Sequence, residues 1–186
     1  MERLIKGVHI LPLHDFIAEL DDDERKAGIY DRMRQETREM LKSVQREQWR
    51  PMQLVADIND AIYTSCNEPA EGYADMVAAG KVIADYAAGT YVRLLIKLMT
   101  PKILASKWPA IWSKSHNFGE MKCKLETDRL LRMTLDDVRD YTHVGPSTVG
   151  FLTFSLNAMG LPDAKVVQLE REASPNSTRY EFQVTW

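Results

Sequence analysis

Residues 179–186, RYEFQVTW, alternate between polar and apolar side chains more regularly than any other stretch of the chain. Tyr180, Phe182, Val184 and Trp186 are apolar, and the residues between them are polar. A period of two is typical of a β-strand with one face buried and the other in water. The stretch therefore predicts a strand of an antiparallel sheet whose apolar face is covered by helices. We expect this strand to lie at an edge of that sheet.

The segments before this strand complete a sheet. EMKCKLE (120–126) and LLRMTLD (130–136) alternate in the same way, and the short link TDR between them predicts a hairpin. Residues 145–160 have the 3.6-residue period of an amphipathic helix that ends at a glycine. AKVVQLERE (164–172) is a third strand, and a turn at 174–177 pairs it with RYEFQVTW. This half of the chain thus predicts a ββαββ unit.

The first half of the chain is predicted to be helical. One helix begins near Pro12, a charged helix follows with an apolar stripe over 29–44, and another begins at Pro51. Residues 73–98 hold the helical period through about seven turns. Gly80 and Gly89 interrupt this pattern, and each costs about 1 kcal/mol relative to alanine. Either a second backbone or a ligand is expected to lie against them.

The expected fold class is therefore α+β, with an N-terminal helical half followed by a four-stranded antiparallel sheet packed on helices. A chain of 186 residues is long enough for one domain. We expect a single domain over 1–186, with an N-terminal helical part over 1–68 and the long helices and sheet over 69–186.

Composition excludes several classes of protein. The net charge of −3 argues against a nucleic-acid-binding protein, which needs a basic surface. No uncharged apolar run reaches 18 residues, so no membrane span is predicted. The two cysteines have no metal-type spacing and no signal peptide is recognisable, which favours the cytoplasm.

Polar residues give no catalytic or metal motif. The four histidines do not form a metal-type pair with fixed spacing. Asp136, Asp137 and Asp140 share one polar segment with His143, which is either an acid–base set or a loop with local hydrogen bonds. We predict no catalytic residue and no metal ligand, and an enzyme is not indicated.

Aromatic residues give the candidate ligand site. Tyrosine and tryptophan combine an apolar body with a polar tip, which suits a pocket for a flat or apolar molecule as well as a core. The candidates on the two long helices and the sheet are Tyr73, Tyr86, Tyr91, Trp108, Trp112 and Phe182.

Several short motifs follow one another in a characteristic order along the chain. They are IKG (5–7), W-x-P (49–51), the long-helix pattern of 80–95, TP (100–101), the run from Trp112 to FGE (118–120), and Y-x-F-x-V-x-W (180–186). Together they resemble an uncharacterised, chiefly myxobacterial, bacterial family. That family is related to the group uniting haem-NO-binding (H-NOX) domains, 4-vinyl-reductase domains and TRAPP small subunits.

The resemblance does not extend to the residues that bind haem. Haem-binding members of the group use an axial histidine and a Tyr-x-Ser-x-Arg clamp for the propionates, and that clamp does not occur here. Residues 30–34, YDRMR, place Arg32 where serine is expected and lie too early in the chain. His116 and His143 are candidate axial ligands without a supporting motif. We therefore expect no cofactor, with haem unlikely, and no zinc.

The resemblance implies a non-catalytic sensory or regulatory domain with a small-molecule site. Its apolar cavity would lie between the long helix and the sheet and would hold a small apolar or aromatic ligand. The alternative is a protein–protein interaction or scaffold domain that forms a helical homodimer without ligand. It predicts an exposed apolar stripe on the 29–44 helix or the N-terminal segment. A homodimer and a signalling partner protein are the expected protein partners.

Overall fold

A computed structural model describes residues 1–96, 99–139, 141–174 and 177–186, without the side chains of 90–96 and 174. The helices are α1 (Leu11–Ala18), α2 (Asp23–Arg32), α3 (Gln35–Leu41), α4 (Met52–Thr64), α5 (Pro69–Ile96), α6 (Pro101–Ser115) and α7 (Val144–Ala158). The strands are β1 (Leu4–Lys6), β2 (Trp49–Pro51), β3 (Glu120–Thr127), β4 (Leu130–Asp136), β5 (Lys165–Ser174) and β6 (Ser177–Thr185). A 3-10 turn at Gly7–His9 follows β1.

The predicted α+β fold class and the ββαββ order are confirmed. β3 and β4 form the expected hairpin, and β5 and β6 pair antiparallel after α7. α7 ends as its sequence predicts, because Gly160 adopts a φ of 84° and the Leu161 N–H donates to the Leu156 carbonyl. These are the left-handed residue and the 6→1 hydrogen bond of a Schellman cap.

The order of strands in the sheet differs from the sequence-based expectation. The order is β3-β4-β6-β5, so β6 is an inner strand and not an edge. It pairs antiparallel with β4 on one side, where Leu131 faces Val184, and with β5 on the other. β5 lies at the edge instead, and its charged residues are of the kind that protects an edge strand.

One face of the sheet forms the core with the helices. Tyr180, Phe182 and Val184 of β6 are buried, as are Leu131 and Met133 of β4. The alternating pattern that predicted β6 is thus the pattern of its burial. Burying a side chain of this size contributes about 1.5–3 kcal/mol.

The helical half differs from its prediction in two ways. The charged helix is two helices, since Met33 is extended between α2 and α3. Its apolar stripe is buried inside the chain, and so is the N-terminal segment through Ile5, Ile10 and Leu13. The buried stripe residues are Ile29, Met33, Thr37, Met40, Leu41 and Val44. The homodimer alternative predicts an exposed apolar stripe on the 29–44 helix or the N-terminal segment. That prediction is wrong for both, because both are buried.

Helix α5 is not continuous. A Cβ at Gly80 would lie 2.0 Å from the Ser147 carbonyl oxygen of α7, so a second backbone lies against this glycine. Gly89 has a φ of 52° and a ψ of −178°, which breaks the helix and is favourable only for glycine. Arg46 donates to the carbonyl oxygens of Tyr86 and Ala87 and so caps the turn before the break.

The N-terminal segment is joined to the second half of the chain. β1 pairs with β2, and the Asn117 N–H donates to the Leu4 carbonyl at 3.2 Å. The Leu4 N–H donates in turn to the Asn117 side chain at 2.6 Å. These bonds bring the 3-10 turn with His9 against the end of α6. Among the described helices, none is both long enough and apolar enough to cross a membrane.

Candidate functional site

A small cavity of about 60 Å³ lies between α5, α6, α7, the 3-10 turn and the start of β3. Its walls are mostly apolar and aromatic. They include Ile83, Trp108, Trp112, Met121, Tyr141 and Phe151, together with the imidazoles of His9 and His116. A volume of this size holds a few water molecules, whereas sites for drug-sized ligands have roughly 300–1,000 Å³.

Helix α6 supplies one wall of this cavity. The helix begins as predicted, with the Thr100 side chain accepting from the Ile103 N–H and Pro101 in the first turn. Trp108 and Trp112, one turn apart, face inward and are buried. The Trp112 indole N–H donates to the Phe118 carbonyl at 3.0 Å, which fixes the ring in the wall.

His116 is the polar centre of the cavity. Its ring stacks on Trp112 with 3.7 Å between the ring centroids and an angle of 3° between the planes. Its Nδ1 lies 3.2 Å from the Trp112 carbonyl oxygen. The Ser115 hydroxyl lies 3.1 Å from the same Nδ1. Because the carbonyl oxygen only accepts, the tautomer with the proton on Nδ1 donates to it and has its lone pair on Nε2.

The Nε2 atom of His116 is buried and has no hydrogen-bond partner among the described residues. An unsatisfied buried acceptor costs about 1–3 kcal/mol. Burial also lowers the pKa of His116 well below its usual value, and the neighbouring His9 lowers it further. The side chain is therefore a neutral imidazole with its lone pair unused, which is the form that binds metals.

His9 lies beside His116 in the same cavity. Its ring centroid is 4.6 Å from that of His116, and the two planes are tilted by 54°. Burial lowers the pKa of His9 to about 4, so this ring is also neutral at pH 7. The two residues are far apart in sequence, and no spacing motif could have predicted their contact.

The aromatic candidates fall into three groups. Trp108 and Trp112 line the cavity, and Phe182 is buried in the core outside its lining. Tyr73 is exposed, and Tyr86 is partly buried beneath the Arg46 guanidinium at 4.9 Å. The side chain of Tyr91 lies outside the described residues.

The described residues of the polar segment before α7 do not form an acid–base set. His143 turns away from Asp136 and Asp137 and pairs with Asp60 of α4, with 3.0 Å between Nε2 and Oδ1. Asp137 instead pairs with Arg3 at 2.7 Å. Asp140, the third member of the predicted cluster, lies outside the described residues.

The cysteines offer no reactive thiolate. Burial raises the pKa of Cys123 to about 12. Burial and the neighbouring Asp75 carboxylate raise the pKa of Cys66, whose thiol donates to that carboxylate at 3.2 Å. In the described part of the chain, no three side chains of the types His, Cys, Asp and Glu converge to hold a metal.

The neutral histidines predict a loss of stability in mild acid. The unfolded chain takes up protons below a pKa of about 6.5, whereas folded His9 does so only near 4. The stabilisation from neutral His9 is thus complete above pH 6.5 and is lost as the pH falls, by about 1 kcal/mol at pH 5.5. Urea unfolding at pH 7.5 and 5.5 measures this loss. The loss should shrink in His9→Gln and persist in His14→Gln, whose side chain is 44 % exposed. An equal loss in both variants would contradict the assignment.

The comparisons with known proteins concern the fold. No protein-family model matches the chain, and no curated protein matches its sequence. A Cs H-NOX mutant carrying 4-cyano-L-phenylalanine is similar in structure, with a TM-score of 0.69, 9 % identity and coverage of 97 % of this chain and 96 % of that one. The Fe(II) unliganded H-NOX protein from K. algicida has a TM-score of 0.67 and 10 % identity, with coverage of 98 % and 97 %. The chain has the fold of an H-NOX domain.

This H-NOX likeness corrects one sequence-based prediction. The descriptions of two further neighbours concern haem. One structure belongs to work on modulating haem redox potential through protein-induced porphyrin distortion, and the other to work on the function of haem distortion in the H-NOX family. The second has a TM-score of 0.64 and 9 % identity, with coverage of 98 % and 95 %. The expectation of no cofactor, with haem unlikely, is contradicted by these neighbours, which share the fold and whose descriptions concern haem.

The cavity has a candidate ligand for the iron of a haem, but its described lining has no basic residue to bind the propionates. The unpartnered Nε2 of His116, in a wall of flat aromatic rings, is a suitable ligand for iron. The described lining has no arginine or lysine for the propionates. Tyr141 lines the cavity, but His143 and Gly145 follow it where the Tyr-x-Ser-x-Arg clamp has serine and arginine. The fit is thus to the iron, without the clamp.

Proposed function

We propose that this chain is a non-catalytic sensory domain of the H-NOX fold that binds haem through the Nε2 atom of His116. One observation carries the proposal: a neutral imidazole in the wall of an apolar cavity has its Nδ1 against the Trp112 carbonyl and an unpartnered Nε2. Metal-binding histidines commonly donate their other ring N–H to a carbonyl in this way.

Haem supplies an iron centre whose free coordination position takes a small ligand. The chain supplies the surroundings of that centre. Trp108 and Trp112 offer flat apolar surfaces within mostly apolar walls. Burial raises the pKa of Tyr141, so its hydroxyl keeps its proton and is able to donate a hydrogen bond. Ser147 and Thr148 add two hydroxyls from α7.

Binding of a haem requires the walls of the cavity to separate, because the cavity of about 60 Å³ is much smaller than an ordinary ligand site. Helix α7, which forms one wall, cannot move away from the cavity without α5. It crosses α5 at Gly80 and Gly150, where the two backbones leave no room for a methyl group. A ligand that displaces α7 therefore displaces α5, which gives a signal a route out of the cavity.

Further features of the prediction remain proposals. We propose one domain over 1–186, with parts 1–68 and 69–186 that share the cavity through His9 and His116. Membership of the bacterial family and kinship with the 4-vinyl-reductase and TRAPP proteins rest on the sequence motifs. A signalling partner protein follows from the expected sensory role. A homodimer is the commonest oligomer of such proteins, and a cytoplasmic location rests on the cysteine pattern of the sequence.

Haem titration of the purified protein tests the proposal. We expect one haem per chain, a Soret band shifted from that of free haem, and a native mass that also reports whether the protein is a dimer. His116→Gly should lose this band, and added imidazole should restore it by occupying the space of the missing ring.

The matched control is His14→Gly, which removes a half-exposed histidine and should bind haem like the wild type. A wild-type protein that stays free of haem throughout the titration would refute haem binding. Unchanged binding by His116→Gly would refute His116 as the ligand.

A further inference from the structure

Three side chains with metal-binding atoms line the same cavity. His9 reaches it from the 3-10 turn, His116 from the end of α6, and Met121 from β3. The imidazole rings lie 4.6 Å apart between their centroids and are tilted by 54°. A methionine sulfur completes a set of two nitrogens and one sulfur.

The charge of this set restricts the metal. An imidazole binds a metal in its neutral form and a thioether carries no charge, so the ligands offer nothing to neutralise a dication. The described lining contains no carboxylate and no thiolate, and its wall is apolar. Burying a charge in such a wall is costly, and the cost rises with the size of the charge. A monovalent ion is therefore favoured over Zn²⁺ or Fe²⁺.

The chemistry of the ligands points the same way. Thioether sulfur is a soft ligand that selects Cu(I), and imidazole also binds copper well. A structural zinc site uses four ligands of the types cysteine, histidine and carboxylate, and this cavity offers only two of them. The cavity of about 60 Å³ accepts a bare ion without any movement of its walls.

We propose that this cavity binds one Cu(I) ion through His9, His116 and Met121. The site goes beyond the proposed haem function and does not depend on it. The two share the Nε2 atom of His116, so a chain loaded with Cu(I) should not bind haem. Direct binding of Cu(I) would make the domain responsive to copper as well.

The test uses haem-free wild-type protein without oxygen, with Cu(I) kept reduced by ascorbate. A chromogenic Cu(I) chelator competes with the protein and reports its affinity and stoichiometry. We expect one Cu(I) per chain, and X-ray absorption should show one sulfur and two nitrogen neighbours. Zn²⁺ should not compete at equal concentration.

Two variants of similar size separate the ligand role from packing. Met121→Leu keeps the volume of the side chain and removes the sulfur, and we expect about tenfold or more weaker binding. Met159→Leu makes the same exchange outside the cavity lining and should bind like the wild type. Far-ultraviolet circular dichroism checks that both variants are folded.

Two outcomes would overturn this proposal. One is a wild-type chain that takes no Cu(I) from the chelator, and the other is equal affinity in Met121→Leu and Met159→Leu. Neither outcome bears on haem, because the haem titration is a separate measurement with its own variant. Failure of haem binding would likewise leave the copper result standing.

Discussion

Removal of residues 179–186 will leave an insoluble, unfolded chain. These residues form most of β6, which lies between β4 and β5 and hydrogen-bonds to both. Tyr180, Phe182 and Val184 are buried in the core, and each contributes about 1.5–3 kcal/mol by burial. Their combined loss is comparable to the whole stability of a typical domain, about 5–15 kcal/mol. The soluble fraction after expression and the circular dichroism spectrum measure the outcome.

Two point variants measure how much the buried face of β6 contributes to the free energy of unfolding. Phe182→Ala should lower the free energy of unfolding by about 3–5 kcal/mol, since it empties a fully buried site. Gln183→Ala, on the opposite face of β6, should change it by less than about 0.5 kcal/mol. A truncated protein that stays soluble and folded but loses only its ligand would show that these residues act as a lid.

Alanine at Gly150 will strongly destabilise the protein. Its Cβ would lie 1.9 Å from the Val77 carbonyl oxygen, and Gly80 is in the same position against Ser147 on the other side of the crossing. The two helices must move apart, and overpacking of this kind costs about 1–3 kcal/mol, occasionally more. The better helix propensity of alanine offsets about 1 kcal/mol of this. An approach of 1.9 Å to a backbone atom places this substitution at the upper end of that range. We therefore expect a net loss of about 2 kcal/mol, seen as a lower urea midpoint.

Gly28→Ala in α2 is the control for this helix crossing. Its Cβ would meet only the end of the flexible Arg32 side chain, which is able to move. Alanine should therefore be neutral or slightly stabilising at this position. A Gly150→Ala protein as stable as the wild type would mean that α5 and α7 are free to separate. It would also remove the proposed route by which a ligand moves α5.

The sequence predicted those parts of the fold that depend on local periodicity. β3, β4, β6 and α7 were found because their apolar residues repeat every two or every 3.6 positions. The pairing of β1 with β2 was not found, since each has only three residues and the partners are more than 40 residues apart. The inner position of β6 was missed because alternation shows that one face of a strand is buried but does not predict which strands pair with it.

The candidate site was predictable in part. Trp108 and Trp112 were identified from their spacing on one helix face, and both line the cavity. His116 was considered as a ligand and set aside for want of a motif. Its unpartnered Nε2 depends on the contacts of Trp112 and His9, which come from separate parts of the chain. Only the tertiary structure brings these groups together.

The inner position of β6 also affects how the protein folds during synthesis. β4 and β5 lie on either side of β6, so neither has its central partner until residues 177–185 have been made. The sheet therefore cannot close on the ribosome while those residues are still in the exit tunnel. Until then β4 has an unpaired edge on that side, and such edges bind chaperones or aggregate. The helices up to α4, whose backbone hydrogen bonds are local, are able to form first.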